Sequence, residues 1–476
     1  MSISRQPLIM LTVIFLLMLP LLPVHAAEAD SVLNVSIDNE QVEYQASTVK
    51  SLVFLSAEDV TASLGGTLEY DATKKSLTIT YKETKATLDL GSSTIVVNGE
   101  KMSLDAAPML LEEVVVIPAK AVPIIWGVSI GWNEEDLSIR TDGEEVIMPD
   151  VSKVVVEKAT LLVNEKETNV SYISIPADAK LKADVVVAQN CIGKVETLEK
   201  LAERSYAEAA INGNYFQSYD PSKAMEPYGL IVKKGALLHA ENTGGTIAFF
   251  NDGSIKVGVA KSVIKADLNG TKADIAMLNH TPAKDGSQIV LFNNFHGDEM
   301  GFAYGTNVVV QKGVVTAIEQ NTNTAIPEDG YVLNFTGSQE ELAEKLAKDN
   351  LISYQVSYVN GANEKLDWSE VHTAIGAGPI LLSAGETAID PEREGFVDLT
   401  GFGLATARSA IGYTAENNLI LVAGVKCTLT ELAVIMSQLG AVDALALDSG
   451  SVSGSYVKGE YLATPGKEIS TALIFR

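Results

Sequence analysis

Cysteine, histidine and tryptophan are scarce in this chain, at 2, 5 and 3 of 476 residues. Cys191 and Cys427 alone make no disulfide framework, and without a Cys-x-x-Cys pair a structural zinc site of that kind has no support. They fit two buried thiols or one long-range bridge, and buried thiols are the expectation. His239, His280, His296 and His372 show no paired metal-ligand spacing, and His296-Gly297-Asp298-Glu299 reads as an exposed polar loop rather than a cation site. Basic residues are outnumbered: 35 Lys and Arg face 61 Asp and Glu, for a formal charge of −26. A general nucleic-acid binder needs a basic footprint, as does a protein docking on anionic lipid, so neither class fits. Any anionic substrate has to be drawn in by a local group working against the overall field.

Long apolar runs are missing beyond the start of the chain. Leu8 to Leu22 is apolar apart from Thr12 and Pro20, follows Arg5, and leads to Val24-His25-Ala26, a small-x-small cleavage pattern. Residues 1–26 therefore read as a secretory signal, which places the mature protein outside the cytoplasm, secreted or at the cell surface, without a membrane span after cleavage. Hydrophobic residues make up 46% and charged residues 20%, so the chain folds, and its length suggests two or three domains.

What is present begins with an internal repeat. Phe54-Leu55-Ser56-Ala57 leads into Val60, Leu64-Gly65 and Tyr70-Asp71, and the layout returns at Ile117, Ala119, Val122, Trp126-Gly127 and Trp132-Asn133. Each copy reads as a strand, a short helix and a pair of strands. Ser56 caps the first helix and Gly65 closes it, while Pro123 shortens or kinks the second. Leu77–Tyr81 and Leu137–Ile139 alternate as half-buried strands, and Asn98-Gly99 marks a hairpin. This unit, about residues 33–142, resembles the stalk domain also called the copper amine oxidase N-terminal-like domain, a spacer or wall-facing adaptor. Copper is not supported, because no His or Cys lies between Ala27 and Asp150.

After Gly143, Met148-Pro149-Asp150 and the charged stretch Lys153–Lys166 read as a linker into a second domain, placed at 151–476. With β-rich segments at 171–175 and 183–188 and helical patterns at 197–208 and 428–439, the expected fold class is α+β: a small duplicated stalk, then a larger mixed body. Ser338 with Glu341 reads as the start of a capped amphipathic helix. Two places in this body share a layout. A helix over Thr197–Glu208 and the strand Ala209–Ile211 end in Asn212-Gly213-Asn214-Tyr215-Phe216. A helix opened by the Thr428/Glu431 capping box and stopped by Gly440 precedes the strand Ala444–Leu447, which delivers Asp448 into Ser449-Gly450-Ser451. A carboxylate at the end of a buried strand, opening into a Gly/Ser turn, is held rigidly and can still reach a cleft.

Together with Pro227-Tyr228-Gly229 and Gly235, Ile375-Gly376-Ala377-Gly378-Pro379 and Arg408-Ser409-Ala410-Ile411-Gly412, these segments resemble the phosphodiester glycosidase family over about residues 180–476. The resemblance implies hydrolysis of sugar-1-phosphodiesters of the N-acetylglucosamine type, here in envelope or extracellular glycopolymers. It maps Arg408 to a fork on the phosphate and Asp448 to acid/base work or to holding a divalent cation. Asn214 joins them as a catalytic candidate. Asn212, Gly213, Tyr215, Gly378, Ser409, Ser449, Gly450 and Ser451 are the substrate-binding candidates. The family usually shows Asp-Gly-Gly-Gly-Ser where this chain has Asp448-Ser449-Gly450-Ser451-Val452, with two of three glycines replaced. The alternative is therefore a catalytically degenerate module that binds cell-wall polysaccharide.

Overall fold

The computed structural model describes residues 31–37, 40–111, 114–132, 136–141, 153–218 and 223–476. The leader-type segment 1–26, Asn133 and Met148–Asp150 lie outside the described residues. The chain divides into two compact units, residues 1–146 and 147–476.

In the first unit, the two copies of the repeat meet across one strand pair. Leu52–Ser56 runs antiparallel to Val114–Pro118 with Leu55 opposite Ile117, the very positions that correspond in the two copies. The two copies thus pair as the fifth and sixth strands of a seven-stranded sheet. A five-stranded antiparallel meander, from Thr67–Asp71 to Glu100–Ser103, forms the second sheet. Its hairpin turn has positive φ at both Asn98 and Gly99, as the Asn-Gly signal requires. The Ser56 hydroxyl accepts the Asp59 amide at the start of the helix Ala57–Leu64. Pro123 sits in the shorter helix Ala121–Trp126. Trp126 Nε1 donates to the carbonyl of Gly65 at 2.8 Å, so the second copy closes the helix end of the first.

The second unit departs from the expected α+β balance. Strands dominate, and the five described α-helices of the whole chain run from four residues (Glu340–Ala343) to ten (Leu429–Gln438). The helical pattern at 197–208 shrinks to Leu198–Arg204, because Tyr206 takes positive φ before the strand Ala209–Asn212. The helix expected after Ser338 is only that four-residue turn, without a side-chain cap. The stretch read as a linker is instead the strand Val155–Val163, paired with Lys166–Ile175 at the edge of a seven-stranded sheet. That sheet continues through Leu419–Cys427, Thr406–Tyr413, Asp443–Leu447 and Ile380–Ser383. The helix Leu429–Gln438 packs Leu432, Ile435 and Met436 on one of its faces, entered through the Thr428/Glu431 capping box.

Two five-stranded sheets complete the centre. One contains Ala209–Asn212 and Thr471–Phe475, and the other contains Gly245–Phe250 and Val371–Ala377. Ile211, Leu473, Ile247, Ile375, Ile411, Leu421, Leu445 and Leu447 from the three sheets form one dry core. The motif segments leave this core together, at the strand ends. Cys427 is buried and Cys191 half-buried, and neither is bridged.

Trp126 gives the first unit a direct test. Trp126→Phe keeps the ring and loses the bond to Gly65, with an expected cost of about 1 kcal/mol. Trp126→Ala should cost about 3–5 kcal/mol. Native-state hydrogen exchange of the strands Leu52–Ser56 and Val114–Pro118 in the full chain reads both losses.

Candidate active site

The strand Asp443–Leu447 ends at Asp448, whose amide donates to the Gly213 carbonyl at 3.2 Å. Asn212 Nδ2 donates to the Asp448 carbonyl at 2.8 Å. The Gly378 amide donates to Ala446, whose own amide donates to Pro379. Gly378 has φ +115, and a Cβ there would stand 2.5 Å from Glu394 Oε2, so no larger residue fits. Three of the sequence motifs are thereby stitched into one place.

The asparagines do the stitching. Asn212 is 1% exposed, and its Oδ1 accepts from Ser409 Oγ (2.6 Å) and the Gly454 amide (3.1 Å). With the Ser409 proton committed to Asn212, Ser453 Oγ donates to Ser409 and accepts from the Gly424 amide. Asn214 Nδ2 donates to the carbonyls of Tyr228 and Gly376, and its Oδ1 accepts from Thr471 Oγ1. These groups were expected to meet substrate. In the structure Asn212, Asn214 and Ser409 are buried and hydrogen-bonded to other segments of the protein.

Arg408 is 2% exposed. Its Nη2 donates to the carbonyls of Gly401, Phe402 and Leu404, its Nε to Cys427, and its Nη1 to Ser449 Oγ at 3.4 Å. No carboxylate pairs with it among the described residues. The expected phosphate fork is thus largely occupied by the loop before the strand Thr406–Tyr413. Beside it, burial pushes the Asp448 carboxyl up to about 8, against a partial opposing pull from the Ser449 amide at 2.7 Å. The Tyr215 hydroxyl is buried without a hydrogen-bond partner. Its pKa is raised by burial and by the charge of Asp448, while Arg408 acts in the opposite sense. The Tyr215 ring meets Phe396 and Phe402 from the same loop.

Three residues of that loop escaped the sequence reading: Phe396, Phe402 and Glu394. The loop has no periodic pattern, and only Gly395, Gly401 and Gly403 hint at close packing. Glu394 is buried, accepts from the Ile380 amide at 2.8 Å, and is pushed up to about 7 by that burial.

The altered glycine motif loses no backbone freedom it needs. Gly450, the glycine retained, is the position with φ +77. Ser449 lies at φ −130, an ordinary conformation for serine, and its hydroxyl donates to Leu447 O while accepting from Arg408. Gly450 and Ser451 then form one wall of a cavity of about 720 Å³.

Residues 304–476 match the family model described as phosphodiester glycosidase, and residues 36–141 match that of the copper amine oxidase N-terminal domain. The phosphodiester glycosidase match belongs to this C-terminal stretch, about a third of the chain. Gly378, Arg408 and Asp448 fall inside the matched residues. Among solved structures, a hypothetical protein from Synechocystis is similar at 18% identity and TM-score 0.61, over 93% of this chain and 91% of its own. A Burkholderia pseudomallei protein, whose name places it among exported proteins, is similar at 20% identity and TM-score 0.55, over 65% and 74%. Both are likenesses of fold. The zebrafish N-acetylglucosamine-1-phosphodiester alpha-N-acetylglucosaminidase catalytic domain aligns at 14% identity over 68% and 82%, with a TM-score of 0.37 that carries no structural argument. No curated protein matches the chain.

The second unit also brings together histidines that spacing did not connect. His239 Nδ1 donates to Gly229 O at 2.7 Å, leaving Nε2 facing His280 Nδ1 at 3.4 Å, and Glu226 Oε2 lies 3.7 Å from the latter. His296, expected on an exposed loop, is 8% exposed, and its Nε2 donates to Met300 O. Among the described residues no three such side chains are arranged to hold a metal ion. Asp448, proposed from sequence as a cation holder, stands among a buried amide network rather than beside other carboxylates.

The raised carboxyls make stability depend on pH. A group whose pKa is higher folded than unfolded contributes stability that is complete below the ordinary carboxylate range and is lost as pH rises through the folded value. Melting temperature should therefore fall from the ordinary carboxylate range up to about 7 for Glu394 and about 8 for Asp448, and level off above. The Asp448→Asn, Glu394→Gln double variant should flatten that decline. An unchanged slope in the variant would mean that neither carboxyl titrates there.

Proposed function

We propose that the protein is a secreted hydrolase of sugar-1-phosphodiesters, acting on glycosyl-phosphate units of envelope or extracellular polymers. The observation that carries this reading is the buried Arg408 guanidinium, which has no carboxylate partner among the described residues. A buried cation without a counter-charge is costly, and the nearby acid, Asp448, is pushed toward its protonated form by desolvation. An anion entering this place supplies the missing charge. The phosphodiester glycosidase match and the leader pattern at 1–26 support the chemistry and the compartment. No described helix is long and apolar enough to cross a membrane.

In the reaction, water adds across the bond between sugar and phosphate, releasing free sugar and a phosphate monoester. The protonated Asp448 carboxyl gives its proton to the departing oxygen, a task that suits an acid whose pKa lies near the working pH. Arg408 Nη1, bound only to Ser449 Oγ at 3.4 Å, is the edge that draws on the phosphate charge. Tyr215, with its unpartnered buried hydroxyl, faces the same charges and is placed to hydrogen-bond a substrate oxygen. The loop carbonyls on Arg408 Nη2 favour the second reading, a non-catalytic polysaccharide binder, to the extent that they hold the guanidinium away from substrate.

Release of N-acetylglucosamine from a 1-phosphodiester by the mature protein, with and without divalent cations, decides between them. Asp448→Asn should lower kcat by about 10²–10⁴-fold. Arg408→Lys, which keeps the charge but not the guanidinium geometry, should lower kcat/KM by at least about tenfold. The wild-type kcat/KM should fall as pH rises through about 8, where the acid form of Asp448 is lost. Binding of wall polysaccharide with no sugar released under any condition would leave the second reading.

A further inference from the structure

The cavity of about 720 Å³ beside the Asp448 turn is large enough for a ligand of several rings. Thr168, Asn169, Ser171, Ser451 and Thr464 bring hydroxyl and amide groups to it, and Lys426 brings its single charge. No carboxylate and no aromatic ring lines it. In a chain with 61 acidic residues against 35 basic ones, a cavity with one cation and no acid is a local reversal of the field. Lys426 is exposed and makes no ion pair among the described residues.

The walls are built rather than incidental. Ser453 Oγ ties the Gly424 amide to Ser409, which is bonded to Asn212, so the floor hangs from the network that fixes Asp448. The Gly466 amide donates to Ser451 O at 2.6 Å and holds the opposite rim against the turn. Gly450 and Ser451 follow Asp448 and Ser449 directly in the chain, and Ala407 in the wall adjoins Arg408. Neither Asp448 nor Arg408 lines the cavity itself. A substrate whose phosphodiester lies at those two residues therefore enters the cavity with what extends beyond the phosphate.

We propose that this cavity binds the leaving-group side of the substrate, a polyhydroxylated chain carrying a further phosphate that Lys426 holds. The assignment rests on the phosphodiesterase reading for its place in the reaction. Hydroxyl-rich walls suit a sugar or polyol, whose own hydroxyls exchange hydrogen bonds with Ser, Thr and Asn. The absence of acids removes the repulsion that the rest of this surface exerts on a second phosphate. The enzyme thus prefers a polymeric, repeatedly charged substrate to a small ester.

Two substrates separate the claims: N-acetylglucosamine-1-phosphate methyl ester, and the same sugar phosphate esterified to glycerol phosphate. In Lys426→Ala, the ratio of kcat/KM for the long substrate to that for the short one should drop about tenfold, and in Lys426→Glu further. The loss should lie in KM and fade in wild type as salt is raised. Titration of glycerol-phosphate oligomers into Asp448→Asn protein, with and without Lys426→Ala, measures binding apart from turnover. Turnover of both substrates with a ratio indifferent to residue 426 overturns the cavity assignment and keeps the proposed function. Oligomer binding that depends on Lys426, with no turnover by wild type, overturns the proposed function and keeps the cavity as an anionic-polymer site. Neither binding nor turnover overturns both.

Discussion

The side chain of Asn212 holds the candidate site together. It is almost fully buried, at the end of a strand, where a neutral amide must find partners for two donor hydrogens and an acceptor oxygen. It donates one hydrogen to the Asp448 carbonyl and accepts at its oxygen from the Ser409 hydroxyl and the Gly454 amide, on three other segments. Strand ends of two different sheets are pinned to one another by that single group. Asn214 performs the same service for Tyr228, Gly376 and Thr471, which belong to other segments again. Buried polar networks of this kind are stable only when every member is satisfied, so they specify one arrangement of the strand ends and reject near alternatives.

That scaffold frees the charged groups from structural duty in an unusual way. Asp448 is placed by its backbone, through Gly213 and Asn212, so its carboxyl is left to its surroundings. Those surroundings push it toward the protonated form. Arg408 is held by neutral carbonyls and a serine hydroxyl, and so retains an unneutralised positive charge. An acidic chain has thus kept one buried cation without a carboxylate partner near one carboxyl whose pKa is raised. The overall charge of −26 says little about this place, because screening and burial make the site answer to its immediate neighbours. The cavity at Lys426 extends the same local exception outward from the turn.

Much of the local structure was legible from residue order. The Thr428/Glu431 capping box, the Asn98-Gly99 hairpin and the delivery of Asp448 by a buried strand each depend on groups a few residues apart. The repeat was legible as well, because each copy keeps its own apolar spacing. Helix lengths were less so: 197–208 satisfied the helical period, yet Tyr206 turns the chain early toward the strand that follows. Lys153–Lys166 looked like a linker because a sheet-edge strand shows one face to water and carries charges there. Glu394, Phe396 and Phe402 were missed because their loop carries no period, and the two rings owe their place to Tyr215, far away in the chain.

The sequence by itself determined that a buried strand delivers Asp448 and that Gly450 stands in the turn after it. It also determined the acid excess that any anionic ligand must overcome. Only the tertiary structure decided that Asn212, Asn214 and Ser409 are buried in hydrogen bonds to other segments, that Arg408 is buried without a carboxylate partner among the described residues, and that His280 stands beside both His239 and Glu226. It alone explains why two serines in the glycine motif are tolerated, since the one position requiring positive φ is the one still occupied by glycine. The physical reason is the same in each case. Turns and caps are satisfied by near neighbours, whereas desolvation and hydrogen-bond saturation are properties of groups brought together from distant parts of the chain.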